Sequence, residues 1–98
     1  MNYPFKTEMP VLDSAKVEDL FVIVHDYMSY PKDKPAKNLC AYNGSGTKVW
    51  ETVNHTNEKT DAFTKIISKD PLKVANFYGY DAIIDVQSGK IIAIEEKR

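Results

Sequence analysis

The sequence predicts a mainly β fold, an antiparallel meander of about six to eight short strands with room for one short helix. Residues 80–86 place apolar side chains on one face and two aspartates on the other, and a glycine-containing turn leads into a second apolar run at 91–96. Residues 39–42 and 48–53 repeat this pattern around the turn sequence at 43–46. Alternation with a period of two, interrupted by glycine turns, is typical of β-hairpins.

Two further segments extend this meander. Residues 72–76 precede a turn in which Gly79 takes the tight position, so that the last three strands would follow one another directly. The run at 20–24 is apolar on both faces, which is typical of a central strand that is covered on both sides. Residues 9–17 would pair with this strand through a turn near Glu18.

Two segments of the sequence fit either a helix or a strand. Ser14 is a suitable N-cap for a helix over about residues 14–28, whose apolar residues would form one stripe and make the fold α+β. The density of β-branched side chains favours a strand there. Residues 61–69 likewise fit either a strand or one to two helical turns that begin at Asp61.

Length and composition indicate one intracellular domain. Ninety-eight residues, of which 43% are apolar, are enough to build one core without metals or disulfides, so we expect a single domain over residues 1–98. Cys40 is the only cysteine, and neither a signal-like segment nor a long apolar run is present, so we expect a cytoplasmic protein without membrane contact. The formal net charge of −1 argues against direct binding of nucleic acid.

The candidates for catalysis are two histidines. His25 and His55 are the only ones in the chain, and a pair of histidines can cleave RNA by taking and giving a proton. A small metal-independent ribonuclease is therefore the alternative function, but the spacing does not place the two together, and we expect no catalytic residues and no enzyme activity. One cysteine and two scattered histidines do not form a zinc site, so we expect no metal and no cofactor. Cys40 is expected to be a buried structural residue.

The predicted loops at 27–37 and 54–61 carry side chains that suit a protein interface. The first places aromatic and methionine side chains directly before a lysine cluster that an aspartate interrupts. Such side chains are enriched at the centres of protein interfaces. Aromatic residues beside lysines also suit the binding of single-stranded nucleic acid. The simplest alternative is that the aromatic side chains pack over the edge of the sheet. The residues expected to contact a partner are Tyr27, Met28, Tyr30, Asp33, His55, Glu58 and Asp61.

The two clear hairpins share more than their alternation. In residues 41–50 and again in residues 84–91, an apolar strand ends in Asn or Asp, a glycine turn follows, and a lysine opens the next apolar strand. This pattern resembles the blade hairpin of quinoprotein-type β-propellers. A closed propeller needs at least four blades of about 40 residues, so a chain of 98 residues is too short to form one.

The order of features along the whole chain carries a second resemblance. The features are the strand at 20–24, the loop at 31–35, residues 38–50, Gly79-Tyr80 and residues 88–90. This order is similar to that of small uncharacterised bacterial β-hairpin proteins of the immunity type, which are encoded beside contact-dependent and other polymorphic toxins. The resemblance lies in the size and general type of the protein more than in a shared motif. It implies a cytosolic protein that binds and blocks a toxin C-terminal domain, often a nuclease. The third hypothesis is a structural β domain that self-associates through its sheet edges.

Overall fold

Eight antiparallel strands make up most of the protein. The computed structural model describes residues 4–7 and 9–96. The strands are β1 Val11–Val17, β2 Leu20–His25, β3 Leu39–Tyr42, β4 Lys48–Thr52, β5 Phe63–Lys69, β6 Leu72–Asn76, β7 Tyr80–Ile84 and β8 Ile91–Glu96. The first four form one sheet and the last four form another, each in sequence order. With one 3-10 turn, Tyr27–Ser29, as the helical part of the described residues, the predicted mainly β fold is confirmed.

Both segments that fitted a helix or a strand are strands. β1 and β2 form a hairpin that turns at Glu18, and β5 occupies most of residues 61–69. The alternative of a helix over residues 14–28 is wrong. Val22 and Val24 both face the core, and this spacing of two places side chains on one side of a strand but on different sides of a helix.

The two sheets share one hydrophobic core. Its buried members come from both sheets and are Ala15, Val17, Val22, Val24, Leu39, Ala41, Trp50, Phe63, Leu72, Val74, Ala82, Ile84 and Val86. Trp50 connects the sheets, because its Nε1 donates a 2.7 Å hydrogen bond to the Val86 carbonyl. Gly89 lies against the indole with a φ of 76°, so that a side chain at this position would be both strained and obstructed.

The strand β2 is covered on both sides, as its all-apolar sequence predicted. On the side away from the shared core, Ile23 and Cys40 are fully buried. Part of the cover comes from the N-terminal segment, in which the Phe5 ring packs edge-on against Phe21 with a centroid separation of 5.6 Å. The burial of Cys40 agrees with the structural role expected from the sequence. Burial also raises the pKa of its thiol, which therefore remains protonated at neutral pH.

Buried polar side chains join the sheets where β2 ends and β5 begins. Asn38 donates from Nδ2 to the carbonyls of His25 at 2.9 Å and of Phe63 at 2.8 Å, and its Oδ1 accepts a 3.1 Å hydrogen bond from the Phe63 amide. Asp13 of β1 likewise accepts a 2.8 Å hydrogen bond from the Ile66 amide of β5. Buried polar groups that are satisfied in this way favour one arrangement of the chain. They hold in place the loops that leave the sheets at this end.

Candidate functional site

Three loops meet at this end of the two sheets. They are residues 26–38 after β2, residues 53–62 between β4 and β5, and residues 77–79 between β6 and β7. Phe63 at the start of β5 pairs with Asn76 at the end of β6, which places the second and third loops side by side. A pocket of about 340 Å³ lies between the three loops. The surface around it, here named the loop face, comprises the half-buried Tyr27 and Tyr30 and the exposed Met28, Lys32, Lys34, Lys59, Phe77 and Tyr78.

The buried carboxylate of Asp61 ties two of these loops together. Its Oδ1 accepts hydrogen bonds from the amides of Ala62 at 2.8 Å and Phe77 at 3.0 Å. Its Oδ2 accepts a 2.7 Å hydrogen bond from the Thr56 hydroxyl. Because both carboxylate oxygens are hydrogen-bonded inside the protein, Asp61 positions the surrounding loops. Its buried side chain forms part of the wall of the pocket.

A second buried side chain, Asn54, orders the beginning of the same loop. Its Oδ1 accepts a 3.1 Å hydrogen bond from the Asn57 amide and shares the single proton of the Thr56 hydroxyl with the Asp61 carboxylate. Asn57 has a φ of 55°, a left-handed conformation that asparagine adopts more readily than most residues. The loop therefore has a defined course before it reaches Asp61.

Aromatic side chains on the loop face are held in place but remain accessible. The rings of Tyr27 and Phe77 pack edge-to-face with their centroids 4.7 Å apart. Phe77 nevertheless remains 50% exposed and Met28 61% exposed. Asp26 caps the 3-10 turn that carries Met28, since its Oδ1 accepts a 2.9 Å hydrogen bond from the Met28 amide. The hydroxyls of Tyr78 and Thr60 share a hydrogen bond across the same surface.

Three lysines line the pocket of the loop face. Lys32, Lys34 and Lys59 line the pocket, and none of them forms an ion pair within residues 4–7 and 9–96. Tyr30 lies between the lysines and the sheet, and its hydroxyl donates a 3.3 Å hydrogen bond to the Lys37 carbonyl. Burial raises the pKa of Tyr30, with further contributions from nearby Cys40 and other groups, so the phenol remains neutral and adds no negative charge beside the lysines.

A family model matches residues 4–96, and the family is described as a domain of unknown function, DUF7957. The chain belongs to the DUF7957 family. No curated protein and no solved structure matches the chain. Because the family match spans both sheets and the connections between them, the whole loop face lies inside the family's domain.

The structure brings the two loops predicted to bind a partner into one surface. Tyr27, Tyr30 and Asp61 line the pocket itself. Met28 is exposed beside the pocket, and Asp33 is exposed in the same loop. The arrangement places residues that are more than thirty positions apart in the sequence around one cavity. Their contact with a partner stays a prediction.

The other two residues predicted to contact a partner lie in the loop between β4 and β5. Glu58 is exposed, and its carbonyl accepts a 3.1 Å hydrogen bond from the Asp61 amide. His55 is exposed and packs edge-to-face on Tyr80, with ring centroids 4.6 Å apart. Neither of the two residues lines the pocket.

Phe77 belongs to the loop face although its sequence context predicts only a turn. The signal that could have found it is the pair Phe77-Tyr78 directly before Gly79. Exposed turns normally carry polar residues and glycine, so two consecutive aromatic residues in a turn indicate either a covered turn or a binding surface. The sequence does not mark Lys59 as a binding residue either, because its charged neighbours are typical of any solvated loop.

The two histidines contact different tyrosines in different sheets. His25 is buried in the first sheet, and its Nε2 lies 2.7 Å from the Tyr42 hydroxyl. Burial lowers the pKa of His25, although the nearby carbonyls of Pro10 and Met9 oppose this shift. His55 contacts Tyr80 of the second sheet. A mechanism that uses the pair needs both imidazoles at one phosphodiester, and the burial of the His25 ring does not favour it; a ribonuclease that uses His25 or His55 stays an untested alternative.

The described part of the chain contains neither a candidate metal cluster nor a helix that could span a membrane. Among residues 4–7 and 9–96, no group of three or more His, Cys, Asp or Glu side chains is placed to hold a metal ion. No helix within those residues is long and apolar enough to cross a bilayer.

Proposed function

We propose that this protein acts in the bacterial cytoplasm as a protein-binding module that neutralises a toxin domain, of the nuclease type, by direct binding. The observation that carries the proposal is the loop face. There, exposed aromatic side chains and three lysines without ion-pair partners among the described residues surround one pocket. The immunity role comes from the resemblance of the sequence to immunity proteins, and the loop face supplies a surface that fits it.

The exposed apolar side chains support a protein as the partner. Burying a large side chain such as Phe77 or Met28 contributes about 1.5–3 kcal/mol, so leaving both in water forgoes stability unless another surface covers them. Tyr27 and Phe77 already restrain each other, which reduces the side-chain entropy lost when a partner binds. Aromatic and methionine side chains of this kind form the centres of protein interfaces.

The charge of the loop face indicates which part of a toxin it would cover. An inhibitor that fills the basic nucleic-acid groove of a nuclease should be strongly acidic, whereas this chain has a net charge of only −1. Its pocket is lined by Lys32, Lys34 and Lys59 instead, whereas Asp33 and Glu58, the exposed acids beside these lysines, do not line it. Lysines complement carboxylates, and in a metal-dependent nuclease carboxylates cluster at the active site, where they hold the metal ion. We therefore expect the loop face to cover a carboxylate-lined active site.

Inhibition by this route needs no chemistry from the inhibitor. One aromatic or aliphatic side chain of the toxin would enter the pocket of about 340 Å³, while the lysines meet carboxylates around it. Substrate is then excluded because the active site is occupied. A protein that works in this way requires rigid loops more than reactive groups, and the contacts of Asp61 and Asn54 provide that rigidity.

Affinity purification from the native host tests the proposal. The tagged protein is compared with a Tyr27→Ala/Phe77→Ala variant in cells that express the toxin, and eluted proteins are identified by mass spectrometry. We expect the unaltered protein to retain a toxin C-terminal domain in an amount equimolar with itself. The variant should retain about tenfold less, because truncating central aromatic residues typically costs at least about 1–2 kcal/mol of binding free energy.

Val49→Ala is the matched control, since Val49 is an exposed apolar residue of β4 that does not line the pocket. It should retain the toxin domain as well as the unaltered protein does. Recovery of no toxin domain from cells shown to express it would contradict the proposed function. Equal recovery by all three proteins would contradict the assignment of the loop face as the binding surface.

A further inference from the structure

The last strand, β8, forms an apolar edge of the second sheet. It pairs with β7 on one side, and no strand within the described residues pairs with its other side. The run Ile91 to Ile94 carries no charged or polar side chain. Ile92 is 65% exposed and Ile94 is 37% exposed. An uncovered strand of this composition offers unpaired backbone groups and apolar side chains to another strand.

The bulge at Ile92 explains the exposure of its side chain. Ile84 pairs with Ile91 and Ile83 pairs with Ala93, so Ile92 has no cross-strand partner of its own. An extra residue of this kind redirects its side chain and interrupts the ladder at one point only. From Ala93 to the end of the strand the pairing with β7 is regular, which leaves the outer edge in an extended conformation that can accept a strand.

The remaining sheet edges differ from β8. β1 and β5 lie against each other, as the hydrogen bond from the Ile66 amide to Asp13 shows. β4 carries an ion pair of 2.9 Å between Lys48 and Glu51 along its exposed side. Charged side chains are a common protection of edge strands, and in β8 they begin only at Glu95, which forms an ion pair of 2.8 Å with Lys73.

We propose that β8 pairs antiparallel with β8 of a second copy of this chain, about a two-fold axis at Ala93, and joins two four-stranded sheets into one of eight strands. In this register Ile92 of each copy faces Ile94 of the other, so the two exposed isoleucines cover each other. Under two-fold symmetry one residue faces its own copy, so the neighbouring registers are centred on Ile92 or on Ile94. Centring on Ile92 would set Lys90 opposite Ile94, and centring on Ile94 would set Ile92 opposite Glu96. The apolar pattern therefore selects the register centred on Ala93.

The charges at the two ends of β8 also favour an antiparallel pair of identical strands. Lys90 precedes the strand, and Glu95-Glu96 end it. In the register centred on Ala93, Lys90 of each copy faces Glu96 of the other. Parallel pairing would instead place glutamates beside glutamates. A strand that is complementary to itself in this way fits the two-fold symmetry of a homodimer.

The dimer is independent of the proposed function, because no residue of β8 lines the pocket of the loop face. Sedimentation equilibrium over a wide range of protein concentration tests it. We expect the unaltered protein to form a dimer, and Ile92→Lys or Ile94→Glu to raise the dissociation constant by about tenfold or more, because each sets a charge against an isoleucine. The double variant I92K/I94E should recover dimerisation, because it sets opposite charges across each pair.

Ile67→Lys is the control, since Ile67 is an exposed isoleucine of β5 and should not affect the dimer. A second test that does not require a charge in the strand is Ala93→Cys, treated with the oxidant diamide. The two cysteines would face each other and form an intermolecular disulfide, while Cys40 is buried and remains reduced. A monomer at every concentration, or a dimer that Ile92→Lys leaves unchanged and Ala93→Cys fails to cross-link, would overturn the proposal.

Discussion

Replacement of Asp61 by alanine should lower the free energy of unfolding by about 2–4 kcal/mol. The carboxylate accepts hydrogen bonds from the amides of Ala62 and Phe77 and from the Thr56 hydroxyl. Without it, the Phe77 amide keeps its 3.2 Å bond to the Ala62 carbonyl, and the Thr56 hydroxyl keeps Asn54 as its acceptor. The Ala62 amide alone is left buried and unpaired, which costs about 1–3 kcal/mol, and loss of the charged acceptor adds about 1 kcal/mol.

Asp61→Asn is the matched control for this prediction. The asparagine oxygen can accept from both backbone amides, and its NH₂ group can donate to the Thr56 hydroxyl, so we expect a loss below about 1 kcal/mol. Urea unfolding followed through the fluorescence of Trp50, which is buried in the core, measures both variants, and the midpoint should fall at an unchanged slope. A loss below about 0.5 kcal/mol for Asp61→Ala, or equal losses for the two substitutions, would refute the argument that the carboxylate holds the loops.

Two further predictions concern the fold. Gly89→Ala should cost about 2 kcal/mol or more and lower the thermal midpoint, because the new Cβ would lie 2.5 Å from Trp50 Cδ2 at a φ of 76°. Gly44→Ala, whose Cβ would meet nothing within 4 Å, should change the midpoint little, and equal effects would contradict the packing argument. Burial lowers the pKa of His25 from 6.5, so the unfolded state binds the proton more tightly than the folded state does. The stability contributed by keeping His25 neutral is therefore present above about pH 6.5 and is lost as the pH falls below it. The decrease in urea midpoint from about pH 7.5 to about pH 5.5 should therefore be smaller in His25→Gln, and an equal decrease would show that His25 does not titrate as described.

The role of Asp61 bears on how the loop face works. It fixes the amide of Phe77, and the Phe77 ring in turn packs on Tyr27 of another loop. Asp61→Ala should therefore weaken binding of a partner although the carboxylate is buried, whereas Asp61→Asn should retain most of it. This comparison separates residues that shape the loop face from residues that touch the partner.

Most of the strands could be predicted because their signals are local. The hairpin around residues 43–46 and the strands of the last hairpin follow from alternation and glycine turns, both of which involve neighbouring residues. The helix considered for residues 14–28 shows the limit of this reasoning. Its stripe of apolar residues is compatible with both periods, and the pairing of β2 with β1 and β3 decides between them.

The candidate site was predictable only in part. Tyr27 and Tyr30 could be proposed because they are aromatic residues in a loop that contains two prolines, and both line the pocket, half-buried. The inward direction of Asp61 and the burial of His25 could not be proposed, because a polar side chain at the end of a strand is usually exposed. Each is buried by residues that come from distant parts of the chain.

The sequence by itself determined most of the strands of this protein, since period-two alternation and glycine turns act over a few residues, and it marked the loops at 27–37 and 54–61, whose binding of a partner stays a prediction. Only the tertiary structure decided that the eight strands form two sheets around one core and that the turn at Phe77 joins these loops in one surface. It also decided that β8 is left as an apolar edge. These features depend on which strands lie beside each other, and that choice is made by contacts between residues far apart in the chain, such as Trp50 with Val86 and Asn38 with Phe63.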